Sequence, residues 1–89
     1  MLYSSEKRNA LAIHLRDRFI NGYSEGYEIV IALIILVKEG HLLEEHVREM
    51  LLIAHSNNAK GVMNSLKKAH GMMDEELLDS IIDAVNNEK

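Results

Sequence analysis

Nine consecutive apolar residues, IVIALIILV from Ile29 to Val37, constrain this chain more than any other feature of it. A helix made of them is apolar on every side and must be covered all round, whereas a strand made of them needs partner strands along its edges. The run is rich in β-branched residues, which suit a strand. It is nevertheless predicted helical, because it lies in a 15-residue frame between a capping serine, Ser24, and a terminating glycine, Gly40, and no second segment reads as its partner strand. The run also falls far short of the ~20 residues that cross a membrane, so it is expected to be buried in protein.

The rest of the chain carries helical punctuation. There is no proline to interrupt a helix, and most of the five glycines are expected at helix ends. Ser4 and Ser5 are candidate N-caps for a first helix with Leu11, Leu15 and Phe19 on one face, widened by Ala12 and Ile20 and ended by Asn21-Gly22. A third helix, after the apolar run, is predicted over about Leu42 to His55, with Leu43, Val47, Met50, Leu51 and Ala54 inward and Ser56-Asn57-Asn58 as its breaker. A fourth follows with Val62, Leu66 and Ala69 inward and Gly71 closing it. Asp74 then caps a fifth, in which Leu77, Leu78, Ile81, Ile82 and Val85 form the cleanest amphipathic stripe. The expectation is an all-α fold: one domain over residues 1–89, a compact bundle of about five short helices around a buried central helix, Ile29 to Val37.

A shift of 31 residues lays Gly40-His41-Leu42 over Gly71-Met72-Met73, Glu44-Glu45 over Glu75-Glu76, Val47 over Leu78 and Met50-Leu51 over Ile81-Ile82. Either the chain holds a duplicated helical hairpin with a pseudo-twofold axis, or two hairpins with acidic first turns align by chance. The second explanation is favoured.

A chain of this length buries only about 60–65% of the surface its unfolded form exposes, so its core is thin. With no cysteine, disulfides, thiolate zinc sites and cysteine nucleophiles are all absent, which suits a reducing, cytoplasmic setting. The first residues, MLYSSEKRNALAIHLRDRF, mix charge with apolar residues and lack the uninterrupted apolar stretch of an export signal. The net charge of −4 comes in blocks: four basic and two acidic residues up to Tyr23, two and six from Ser24 to Asn58, then Lys60, Lys67 and Lys68 with no acid up to His70, then an acidic tail. Packed helices are expected to pair these blocks internally.

No arrangement of residues points to catalysis. The Glu39-Gly40-His41 turn has the outline of a calcium-binding hairpin but lacks the ladder of oxygen ligands such a loop needs. The five histidines, His14, His41, His46, His55 and His70, have no i,i+3 or i,i+4 pair and no HExxH, so no metal or cofactor is expected. Nucleophile turns and glycine-rich phosphate loops are missing, and the carboxylates occupy first turns and outer faces that capping and the helix dipole explain. A non-enzymatic role is the expectation.

The third helix, the Ser-Asn-Asn turn and the fourth helix have the proportions of a helix-turn-helix. The fourth carries Lys60, Asn64, Lys67 and Lys68, residue types that contact bases and phosphates. Its segment VMNSLKKAHGMM resembles the end of a winged-helix recognition helix over about a dozen residues. Beyond Met73, however, the chain reads as helix where that family has a two-stranded wing. DNA binding by these four residues is the alternative, with acidity elsewhere in the chain opposing it.

The primary expectation is a small regulatory or inhibitory protein that binds another protein and changes its activity. Small acidic modules encoded by phages and mobile elements are similar to it in size and composition alone. Tyr23, Tyr27, Met72 and Met73 are the expected contact residues, since aromatics and methionines near helix ends offer large adaptable area. A homodimer through whatever part of Ile29 to Val37 the bundle leaves uncovered is also expected.

Overall fold

A computed structural model of the chain describes residues 1–21 and 26–87. It contains α1 (Ser5–Ile20), α2 (Tyr27–Lys38), α3 (Glu44–Asn57), α4 (Ala59–Met73) and α5 (Glu76–Asn87), with no strand among the described residues. The chain is therefore all-α, as its periodicity predicts.

Local chemistry sets the helix ends. Ser4 is extended, and its Oγ accepts from the Lys7 amide at 3.2 Å, which satisfies one of the unpaired donors of the first turn of α1. At the end of α2, Gly40 takes φ +84°. Its amide donates to the Val37 carbonyl and the His41 amide to the Leu36 carbonyl, at 3.0 and 2.9 Å, the paired bonds of a Schellman ending that a left-handed glycine permits. Helix α3 starts at Leu43, which has no side-chain acceptor. The reciprocal half of a capping box is present instead, with the Leu43 amide donating to His46 Nδ1 at 3.1 Å.

Several expected boundaries move. Helix α3 does not break at Ser56: Ser56 Oγ and Asn57 Nδ2 both donate to the Ile53 carbonyl, at 2.7 and 2.9 Å, so these short polar side chains satisfy the last turn from within it. The turn to α4 is Asn58 alone, at φ −157° and ψ 77°, serving as C-cap of α3 and N-cap of α4. Gly71 does not close α4, which continues to Met73 and ends on Asp74 in the left-handed conformation, φ 49°. Asp74 is thus the stop of α4, and α5 begins at Glu76. The expected cap Ser24 lies outside the described residues, and Gly26 precedes the first turn of α2.

The helices form two layers. Helix α3 packs between α1 and α5, helix α2 packs on α4, and α4 joins the layers through α3 and α5. The two ends of α1 and α3 coincide: Tyr3 bonds to His41 just before α3, and the Phe19 carbonyl accepts from Asn58 just after it, so α1 and α3 run parallel. The apolar run 29–37 is helical and buries Val30, Leu33 and Ile34, with Ile29, Ile31, Leu36 and Val37 half-buried against the core. It is not the axis of the bundle, however: Ile35 is 43% exposed, and α3 is the helix that packs against all four others, burying Val47, Met50, Leu51 and Ala54. A two-layer stack leaves α2 at an edge, and its free face there carries Ile35.

The 31-residue shift reappears in the packing. Val47, Met50, Ala54 of α3 and Leu78, Ile81, Val85 of α5 are buried in that register, whereas Val30, Leu33, Ile34 of α2 match Val62, Ser65, Leu66 of α4 one residue further on. A pseudo-twofold would pack α2 on α5 as α3 packs on α4, and α2 makes no comparable contact with α5. Successive hairpins lie side by side, as in a helical solenoid.

Candidate interaction surfaces

On α4, the residues at i, i+4 and i+7 spacing that face away from Val62, Leu66 and Ala69 are Lys60, Asn64, Lys67 and Lys68, all exposed, continuing to Met72 at 63% exposure. No acidic residue occurs between Ala59 and Met73. Tyr27 joins this face from α2: the Lys68 ammonium sits 4.2 Å from the centroid of its ring, a cation–π contact that orients both side chains. Two sets of residues that the sequence separates, the aromatic and methionine set and the lysine set, thus meet through Lys68. Met73 is half-buried and packs on the core, and Tyr23 lies outside the described residues.

A helix-turn-helix presents its recognition helix after a turn of three or four residues. Here one residue, Asn58, separates α3 from α4, and α5 stands where a wing would follow. The lysines of α4 therefore occupy a surface helix rather than the second helix of that motif.

A second surface lies on the other layer. The parallel helices α1 and α3 leave an open cleft of about 220 Å³ between them, with Arg8, Asn9 and Ala12 on one wall and His46, Glu49 and Ile53 on the other. A smaller hollow of about 100 Å³ continues it toward the helix ends, between Ile13 and Arg16 on α1 and Ile53 on α3. Ile13 and Ile53 are 43% and 48% exposed. Sequence reasoning missed this surface, although a signal for it exists: both isoleucines lie off the inward stripes of their helices, Leu11-Leu15-Phe19 and Val47-Met50-Ala54.

Three of the histidines are occupied individually. His41 stacks on Tyr3 at 4.9 Å between centroids and 11° between planes, with its Nδ1 3.0 Å from the Met1 carbonyl, while Lys7 lies over the Tyr3 ring at 4.1 Å from its centroid. His46 accepts from the Leu43 amide, and His70 Nε2 lies 2.7 Å from Asp79 Oδ1 across the α4–α5 turn. Among the described residues, no three histidines or carboxylates converge to hold a metal ion. No helix there is long and apolar enough to cross a membrane.

Comparisons of the chain with protein-family models, with curated proteins and with solved structures each found no match.

Proposed function

We propose that this chain is a non-enzymatic regulatory or inhibitory module that docks on another protein through the exposed face of α4. The observation that carries this reading is the continuity of that face: Tyr27 lies beneath Lys68, and one helical turn further along stands Met72, 63% exposed. An aromatic ring held in place, a flexible methionine and lysines around them combine adaptable apolar area with positive charge, suiting an acidic partner surface. The cleft between α1 and α3 is open to solvent rather than an enclosed pocket, which fits binding better than catalysis. Phage and mobile-element regulators share this size and composition, and a cytoplasmic setting accords with the absence of cysteine.

The test is affinity capture from cells of the source organism under crosslinking, with the wild-type chain beside Met72→Asp and Lys67→Glu/Lys68→Glu variants. One stoichiometric protein captured by the wild type and lost with both variants supports the reading. The same protein captured equally by all three places the contact elsewhere and rejects it.

One observation favours a second reading, DNA binding by Lys60, Asn64, Lys67 and Lys68: the full length of α4 carries no acid. Duplex retardation that survives from about 50 to 200 mM salt, and is abolished by Lys67→Glu/Lys68→Glu, would establish it. Retardation confined to the lowest salt would dismiss it.

A further inference from the structure

The cleft between α1 and α3 has a property separate from the α4 face, on the other layer of the molecule. The two helices are parallel, and the residues lining the cleft follow the same spacing on both walls, so the order along α1 that sets Arg8 before Ile13 is matched along α3 by Glu49 before Ile53. A twofold axis laid along the cleft carries α1 of one copy onto α3 of another without changing level. Each residue of α1 then meets, in the second copy, the same residue type that matches it in its own. Ile13 meets Ile53, and Arg8 meets Glu49, twice over. Such a face is complementary to itself, which is what an isologous dimer requires.

The charges along the cleft agree with this. Glu49 and its neighbour Glu45 have no ion-pair partner among the described residues. The guanidinium of Arg8 makes one hydrogen bond, from Nη1 to the Tyr3 carbonyl at 3.0 Å, leaving other N–H groups to donate. The apolar pair sits beside the charged one, an arrangement in which the isoleucines lose water while the charges fix the register. The same operation places Ser5 over His46 and brings Arg16 to the level of Asn57, so neither of these two levels sets like charges together.

We infer that the α1–α3 face is a homodimer interface, with a twofold axis along the cleft, Ile13 packed on Ile53 of a second copy and Arg8 paired with its Glu49. Dimerisation through this face leaves the α4 face of both copies outward.

The test uses sedimentation equilibrium on the full chain, with circular dichroism as the check on folding. The wild type is expected to dimerise, and Ile53→Asp to weaken the dimer at least tenfold while remaining helical. Arg8→Glu and Glu49→Arg each place like charges opposite one another in a homodimer, and each is expected to be monomeric where the wild type is dimeric. In a mixture of the two, the first variant is acidic at both positions 8 and 49 and the second is basic at both. Both contacts of a heterodimer then join opposite charges, and the heterodimer should form. A monomeric wild type at about 1 mM, a dimer that Ile53→Asp leaves intact, or single charge variants that stay monomeric when mixed would each overturn the inference. Should Arg8→Glu unfold by losing its bond to Tyr3, Ile13→Asp replaces it. An Ile13→Asp chain that stays folded and still dimerises like the wild type would refute the interface equally.

Discussion

Asn58 Nδ2 donates to the carbonyl of Phe19 at 2.9 Å, while Oδ1 of the same side chain accepts from the Gly61 amide at 3.0 Å. One amide thus starts α4 and closes the end of α1, 39 residues earlier in the chain. Gly61 completes the arrangement, because a Cβ there would come within 2.5 Å of Asn58 Nδ2. Replacing Asn58 by Ser keeps a cap acceptor but removes the Nδ2 amide that bonds to Phe19, and should cost about 1 kcal/mol. Replacing it by Ala removes both and should cost about 2–3 kcal/mol. Urea denaturation of the two variants should separate them in that order, and equal losses would mean that the tie to Phe19 contributes nothing.

Phe19 also fixes a glycine that turn chemistry does not explain. Gly26 has an ordinary helical φ of −65°, so a side chain is not barred by its backbone. A Cβ there, however, would lie 2.5 Å from Phe19 Cζ and 3.0 Å from Ser65 Oγ, and Phe19 is fully buried with nowhere to retreat. Gly26→Ala should therefore destabilise the fold by about 1–3 kcal/mol through overpacking. In the Phe19→Leu background the same change should cost less, giving a coupling of at least about 0.5 kcal/mol in a double-mutant cycle.

Gly40 and Gly71 look alike in sequence, each followed at the same distance by a Glu-Glu pair, yet they play opposite roles. Gly40 is left-handed at φ +84°, so Gly40→Ala should cost about 1 kcal/mol. Gly71 lies inside α4 with nothing within 4 Å of the position a Cβ would occupy, so Gly71→Ala should stabilise the protein by about 0.5–1 kcal/mol. Thermal melts read both, and a loss at Gly71 would show that α4 ends there after all.

That contrast shows what is legible in the sequence. Inward stripes are set by period, and Leu15, Phe19, Val47, Met50, Leu51, Ala54, Val62, Leu66, Leu78, Ile81 and Val85 are buried as their spacing implies. Helix stops depend on whether a local device beats continued i→i−4 bonding, and here the left-handed turn falls on Asp74, three residues beyond the glycine that advertises it. Centrality is hidden for a related reason. An all-apolar segment states that it must be covered, not by what, and Ile35 stays exposed because two-layer packing puts α2 at an edge while α3, with its charged outer face, lies between α1 and α5. The α1–α3 cleft is hidden too, because it is a relation between helices and sequence spacing reports on one helix at a time.

The two neighbouring methionines offer a way to part binding from stability. Met72 is 63% exposed beyond Lys68, and Met73 is packed on the core at the last residue of α4. An aspartate at position 72 loses only exposed apolar contact and should move stability by no more than the ~0.5 kcal/mol usual for surface changes. An aspartate at position 73 brings a charge against the apolar core in a half-buried site, and should cost well over about 1 kcal/mol. If Met72→Asp destabilises as much as Met73→Asp, residue 72 belongs to the core and loses its claim as a contact. If only Met73→Asp destabilises, any partner lost by Met72→Asp is lost from the surface rather than by unfolding.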